Sequence, residues 1–363
     1  MAERLRLAVL PGDGIGPEVT DAALEILEAV AEPAAIELVV ERFPVGWAAV
    51  RESGDPLPPD TREGVLAADA VFLGAVGDPE ADGEPPERRP ETGLLELRKL
   101  LGCFANLRPA RWIPALENSS PLRPERVRGM DFLIVRELSG GLYYGRPRSL
   151  DRSGDEPRAV DTLPYSASEI RRVARVAFEA AGRRKGRVVS VDKANVLDTS
   201  RLWREVVDEV AGEFGDVELE HMLVDRAAME LVLRPTYFDV ILTENLFGDV
   251  LSDEAAAVTG SIGLLASASL GTGPGLYEPV HGSAPDIAGK GVANPLAAIL
   301  SAAMLLEHSA GRPDAARWIE GAVEDVLEAG VRTPDLAAAG EEPAGTEAVT
   351  QKVEEAVAGR IDA

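Results

Sequence analysis

Short apolar runs alternate along this chain with longer stretches whose apolar residues recur every three to four positions, and that alternation admits few folds. Residues 5–10 read as a strand. Val19, Ala22, Ala23, Ile26, Leu27 and Val30 then follow at helical spacing and give one apolar face. Further strands are predicted at 36–41, 70–73, 132–135, 188–191, 217–224 and 240–242, and helices over much of 166–181, 199–212, 247–258, 296–309 and 312–328. The pattern predicts an α/β protein with covered sheets. With 363 residues, 45% of them hydrophobic, the chain can bury a core in each of two domains.

Several classes of function fall away. Every apolar run is interrupted well short of the ~18 to 20 residues a membrane helix needs, and the N-terminus enters a strand without the layout of a secretory signal. The expectation is a soluble, cytoplasmic protein. A single cysteine, Cys103, excludes an internal disulfide or a thiolate zinc cluster. Three histidines, His221, His281 and His308, lie in no HExxH or Ser/His/Asp arrangement, which leaves hydrolytic chemistry little to stand on.

Sixty-two acidic residues against 37 basic ones give a formal net charge of −25, which repels nucleic acid. Lysine occurs only at positions 99, 185, 193, 290 and 352, and the arginine excess has a bland cause in GC-rich coding. The acid excess is not accounted for by GC-rich coding. It suits a halophilic protein, whose self-repulsion salt screens.

Four constellations carry chemistry. Residues 9–18 (VLPGDGIGPE) run from a strand through a glycine-rich turn, with Pro17 placed to open a helix. The glycines are spaced GxGxG and no clear acidic ribose partner follows about 20 residues on, so this is not the dinucleotide fingerprint. A structural turn and a binding loop are equally open. Asp249 and Asp253 stand at i and i+4, where two carboxylates share one helix face and can share a hard divalent cation, although acids in a first helical turn also complement the helix dipole. Asp225, after a strand-like run, is a candidate third ligand. Arg98, Arg108 and Arg136 are able to fork onto carboxylates, against the commoner alternative of solvated surface charge. Finally, 278–295 (EPVHGSAPDIAGKGVANP) is rich in turn formers and small residues, a loop able to wrap a polar ligand. Two further segments, 77–90 and 145–164, look irregular. The first reads as a lid or an exposed loop, the second as a projecting arm or an exposed loop.

Seven ordered segments, PGDGIGPEV, ETGLLELRK, FANLRPAR, VREL-GG-YYG, DKANVL, NLFGDVLSD and EPVHGSAPDIAGKG-ANP, make the chain resemble the β-decarboxylating dehydrogenases, and among them the isopropylmalate branch. The resemblance spans residues 7 to about 357. It implies a two-domain isopropylmalate/isocitrate dehydrogenase-like α/β fold, not a classical Rossmann fold. The first domain comprises 1–103 with 260–363 and binds cofactor. The second, 104–259, carries dimer contacts, metal and catalytic residues, and the arm near 145–164.

The resemblance also implies roles. Arg98, Arg108 and Arg136 would clamp the malate carboxylates, and Glu91, Leu94, Leu95 and Val196 would meet the substrate side chain and nicotinamide. Asp249 and Asp253 would hold Mg2+ or Mn2+ with Asp225 of the partner subunit, where Asp225 also meets substrate. Tyr143 and the partner subunit's Lys193 would move protons. Glu278, His281, Gly282, Ser283, Ala284, Asp286 and Asn294 would hold NAD, and K+ would assist. The implied reaction is NAD-dependent oxidative decarboxylation of 3-isopropylmalate in leucine biosynthesis by a homodimer with shared sites; 3-methylmalate, isocitrate, homoisocitrate or tartrate are the alternative substrates.

Overall fold

The computed structural model describes residues 2–362. The chain divides into two compact units, one of Met1–Cys103, Ile113–Pro121 and Thr259–Ala363, the other of Phe104–Trp112 and Leu122–Val258. The excursion Ile113–Pro121 departs from the expected 104–259 partition. It belongs with the first unit because α-helical residues near the C-terminal end pack on its turn, and Arg332 donates to the Ala115 carbonyl at 2.5 Å.

The first unit opens with β1 (Glu3–Gly12), α1 (Gly16–Ala31), β2 (Ile36–Arg42), α2 (Gly46–Ser53), α3 (Pro59–Ala67), β3 (Ala70–Ala75) and α4 (Pro90–Leu100). The inserted unit follows as β4 (Cys103–Arg111), α5 (Pro124–Val127), β5 (Asp131–Glu137), β6 (Ser149–Asp151), β7 (Arg158–Val160), α6 (Ala167–Gly182), β8 (Arg187–Asp192) and α7 (Asp198–Ala211). It ends with β9 (Glu218–Leu223), α8 (Val224–Leu233), β10 (Val240–Thr243) and α9 (Asn245–Thr259). The chain then returns through β11 (Ala266–Gly271), β12 (Gly275–Pro279), α10 (Leu296–His308), α11 (Pro313–Glu328) and α12 (Thr346–Ile361).

In the first unit the strands run β2-β1-β3-β12-β11, parallel except for β11 against β12. All six residues of β3 are buried, as expected of a parallel strand covered on both faces. In the second unit the order is β4-β5-β10-β8-β9, with only β4 antiparallel. Phe132, Ile134, Val189 and Ile241 pack there against Leu231 of α8 and Leu251 and Ala255 of α9. Helix α6 presents Ile170, Val173, Ala177 and Ala181 as a buried stripe and starts at a Ser166–Glu169 capping box.

Register aligns the site. Thr243 lies opposite both Arg136 and Val191, so β5, β10 and β8 end level with one another. Residues 217–224 are not all strand: β9 stops at Leu223, and Asp225 falls in the first turn of α8. Helix α9 begins at Asn245, earlier than the expected 247, so neither Asp249 nor Asp253 lies in its first turn and dipole complementarity does not explain them. Residues 145–164 contain the β6–β7 hairpin, whose six strand residues are all exposed. Segment 77–90 forms two short 3-10 turns tied to α2, where Trp47 Nε1 and Arg51 Nη2 donate to Glu80 at 3.1 and 2.8 Å.

Candidate active site

The glycine-rich turn after β1 packs against its own unit. Asp13 accepts backbone N–H groups from Trp47, Ala48 and Gly77 at 2.9, 2.8 and 2.8 Å, and Ile15 N donates to the Ser283 carbonyl at 2.8 Å. Gly14, at φ +58°, leaves no room for a side chain: a Cβ would stand 2.0 Å from that carbonyl. The turn therefore buttresses the loop that carries His281–Asp286.

In that loop the Nε2 of His281 is buried without a hydrogen-bond partner, while Nδ1 faces the Gly282 carbonyl at 3.0 Å; burial lowers the imidazole pKa. Ser283 is buried, Gly282 and Asp286 are exposed, and Ala284 takes the left-handed conformation at φ +37°. An orphaned ring nitrogen beside exposed backbone suits a polar ligand such as a dinucleotide. Asn294 is committed locally. Its Nδ2 donates to Asp335 at 3.0 Å and its Oδ1 receives Leu296 N at 3.0 Å. Asp335 also receives Ser261 and Thr333 hydroxyls at 2.6 Å each, a node with no sequence signal.

Helix α4 buries Pro90, Gly93, Leu97 and Arg98, leaves Leu94 and Leu95 half-buried, and exposes Glu91. Arg98 Nη2 donates to Glu278 Oε1 at 2.7 Å, joining a residue expected on substrate to one expected on cofactor. Both are nearly buried, so each charge stabilises the other where water cannot.

The inserted unit gathers the other arginines. Asn106 and Arg108 point to one side of β4, and Asn106 pairs with Arg136 across the sheet. Arg108 donates to Asn106 Oδ1 at 2.6 Å and Ser252 Oγ at 2.5 Å, and lies 3.5 Å from Asp249 and 3.9 Å from Asp253. Arg136, 1% exposed, donates to Asn245 Oδ1 through Nε and Nη2 at 3.1 and 2.8 Å, and through Nη1 to Asp249. Its guanidinium stands 5.5 Å from the Tyr143 ring centroid, and the Tyr143 hydroxyl donates to the second oxygen of Asp249 at 2.5 Å. Arg98, Arg108 and Arg136 are thus buried, not solvated surface charges. Asn106, Asn245 and Ser252, which hold two of them, were not singled out by sequence.

Partial desolvation pushes the Asp253 carboxyl up, Arg108 pulls it back, and Asp249 adds to the rise. Farther along the same strand ends, Lys193 follows β8 and its Nζ donates to Asp225 Oδ1 at 2.6 Å, a bond that holds the Asp225 carboxyl below its usual range. Val196, beside it, is 63% exposed. Among the described residues no three His, Cys, Asp or Glu side chains gather closely enough to hold a metal. Asp249 and Asp253 are hard oxygen donors on one helix, the chemistry that Mg2+ or Mn2+ requires.

Arg136 near the end of parallel β5, Tyr143 and Asp249 in the segments that follow β5 and β10, and Arg108 on the antiparallel β4 beside them give the layout of an α/β enzyme. The family profile described as isocitrate/isopropylmalate dehydrogenase matches residues 6–357, and the chain belongs to that family of oxidoreductases. It is 56% identical over 358 residues to the 3-isopropylmalate dehydrogenase of Halalkalibacterium halodurans, covering 98% of this chain and 99% of the relative. Identity to the protein of that name from Bacillus subtilis is also 56%, over 97% of each. Among solved structures it is similar to isocitrate dehydrogenase from Methylococcus capsulatus, with a TM-score of 0.87 and 38% identity over 97% of this chain and 99% of that one. No helix among the described residues is long and apolar enough to cross a membrane.

Proposed function

We propose that the chain is an NAD- and divalent-metal-dependent 3-isopropylmalate dehydrogenase that yields 4-methyl-2-oxopentanoate and CO2 in leucine biosynthesis. The observation that carries the reading is the convergence of Arg108, Arg136 and Tyr143 on Asp249, with Asp253 one helical turn away. Identity of 56% to relatives named for isopropylmalate, against 38% to a solved isocitrate dehydrogenase, supports the substrate.

In this reading Arg98, Arg108 and Arg136 bind the two malate carboxylates, and Glu91, Leu94, Leu95 and Val196 meet the isopropyl group and nicotinamide. Asp249 and Asp253, with Asp225 of the partner subunit, would hold Mg2+ or Mn2+, which when bound supplies positive charge to the substrate's oxygens. Glu278, His281, Gly282, Ser283, Ala284, Asp286 and Asn294 would hold NAD, the hydride acceptor, with K+ assisting. The partner subunit's Lys193 takes the proton of the substrate hydroxyl, and Tyr143 returns one to the carbon that has lost CO2.

A homodimer is part of the proposal. The hairpin exposes Leu150 and Val160, α8 exposes Met229, Val232 and Leu233, and α9 exposes Val250, apolar surface that a second copy would cover. The test is NAD reduction with 3-isopropylmalate beside isocitrate, with Mg2+ or Mn2+, at low and high KCl. Faster turnover of 3-isopropylmalate is expected; a preference for isocitrate overturns the substrate assignment.

A further inference from the structure

Beneath the turn that leads into Tyr143, two buried carboxyls face one phenol. The Tyr165 hydroxyl lies 3.1 Å from Glu137 Oε2 and 3.3 Å from Glu244 Oε2, and it accepts the Asn245 N–H at 3.1 Å. Glu137 is fully buried and Glu244 is 4% exposed. A phenol has one proton to donate. If both carboxylates were ionised, that proton would serve one of them and the other would press its lone pairs against the phenol oxygen. A second proton in the cluster gives every close oxygen pair a hydrogen.

We propose that Glu137, Tyr165 and Glu244 share one extra proton at neutral pH, carried by Glu244, and act as positioning residues for Arg136; the functional half rests on the reading of Arg136 as a substrate ligand. Glu244 is the carrier because its carboxyl receives only the Leu246 and Phe247 N–H groups, each at 3.0 Å, besides the phenol. Glu137 receives the N–H groups of Ser139 and Gly140 and the Ser139 hydroxyl as well, donors that favour the ionised form. Burial pushes both carboxyls up.

The charged groups around the cluster are few. Arg136 favours ionised Glu244 but ranks behind burial, Arg172 donates to the Ser139 hydroxyl, and Asp192, paired with Arg204, lines a small cavity shared with Tyr165 and Glu244. Asn245 links the cluster to the site. Its backbone N–H is held by Tyr165, its Nδ2 donates to the Gly140 carbonyl at 3.1 Å, and its Oδ1 receives Arg136. A side chain at Gly141, whose φ is +73°, would be strained and would bring its Cβ to 2.6 Å from the Tyr165 hydroxyl. Loss of the shared proton at alkaline pH sets two buried charges against each other and loosens the turn, Asn245 and Arg136 together.

Infrared spectroscopy of the whole protein with 13C-labelled glutamate reads the proton directly. One carboxylic-acid carbonyl band at neutral pH is expected, lost in Glu244→Gln; absence of the band, or its survival in that variant, overturns the proposal. Tyr165→Phe is expected to raise KM for the hydroxy acid about tenfold, the worth of one hydrogen bond to a charged group, and to leave KM for the dinucleotide nearly unchanged. If Tyr165→Phe does not fold, Glu244→Gln decides: wild-type KM for the hydroxy acid rises toward alkaline pH, and the variant flattens that rise. An unmoved KM in folded Tyr165→Phe, or a rise unchanged in Glu244→Gln, removes the positioning role. Because the infrared band needs no turnover, a wrong substrate and a wrong proton give different outcomes.

Discussion

Tyr143 donates its hydroxyl proton to Asp249 across 2.5 Å, on a carboxylate whose other oxygen receives Arg136. Burial first, then Asp249, pushes the phenol up to about 12. Tyr143 therefore holds its proton through the neutral range and has it to deliver. Tyr143→Phe should cost turnover and spare binding, with kcat down about 100- to 1000-fold and KM for the hydroxy acid changed only a few-fold. Steady-state kinetics decide, and a loss confined to KM would take Tyr143 out of proton transfer.

Much of what was legible in sequence follows burial, although β2 and β9, only partly buried, were read as strands as well. Strands β1, β3, β5, β8 and β10 read as apolar runs because both faces are covered. Strand β4 escaped because Asn106, Arg108 and Arg111 break its pattern, β11 because its alanine, serine and glycine residues carry weak strand preference, and β12 because it is five residues that open on Gly275 and close on Pro279. The Asp249–Asp253 pair, the three arginines and the 278–295 loop stood out as candidates by residue type and spacing, whereas Glu91, Leu94, Leu95, Tyr143, Lys193 and Val196 were legible only through the family's ordered segments. Spacing does not bring Arg108, Arg136 and Tyr143 to Asp249; register and the start of α9 do. Glu137 at the end of β5, Tyr165 before α6 and Glu244 between β10 and α9 are far apart in sequence and meet only in the folded unit.

Lys193 pairs with Asp225 while Tyr143 pairs with Asp249, and the proposed dimer has each pair serve a different active site. Lys193→Ala and Tyr143→Phe homodimers should each be nearly inactive. Mixing them under subunit exchange should restore activity through heterodimers with one intact site. No recovery in verified heterodimers would mean that both residues act within one chain.

An exposed carboxylate at Asp286 is able to accept hydrogen bonds from ribose hydroxyls, and it would repel a 2′-phosphate. Ile287 offers no compensating cation. The protein should favour NAD over NADP, and Asp286→Ala should narrow the difference. Comparing kcat/KM for the two dinucleotides tests this, and a wild-type preference for NADP would remove Asp286 as the discriminator.

The net charge of −25 is spread over a surface where many ion pairs are exposed, such as Arg51–Glu80 and Arg360–Asp325, and exposed pairs return little stability. Screening should therefore stabilise the fold. Melting temperature is expected to rise between ~0.1 M and ~2 M KCl, where the screening length falls from about 10 Å to a few ångströms. Equal values would end the halophilic reading.

In the proposed function substrate choice rests on α4, where Glu91, Leu94, Leu95 and Arg98 follow one another at i, i+3, i+4 and i+7 and share a face beside the buried Pro90–Gly93–Leu97 stripe. Glu278 fixes Arg98 at one end of that face. The two half-buried leucines offer an apolar patch to whatever hangs from the third carbon of the malate. Isocitrate would bring a carboxylate there, beside Glu91 and against two side chains with no donor, which costs desolvation and like-charge repulsion together. Replacing isopropyl by methyl removes two carbons worth roughly 0.8 kcal/mol each, about an order of magnitude in specificity. The expected order of kcat/KM is 3-isopropylmalate, then 3-methylmalate, then isocitrate. Leu94→Ser combined with Glu91→Ala should narrow the gap to isocitrate by relieving both costs at once. If the double variant leaves that gap unchanged while still turning over 3-isopropylmalate, the α4 face does not select the substrate.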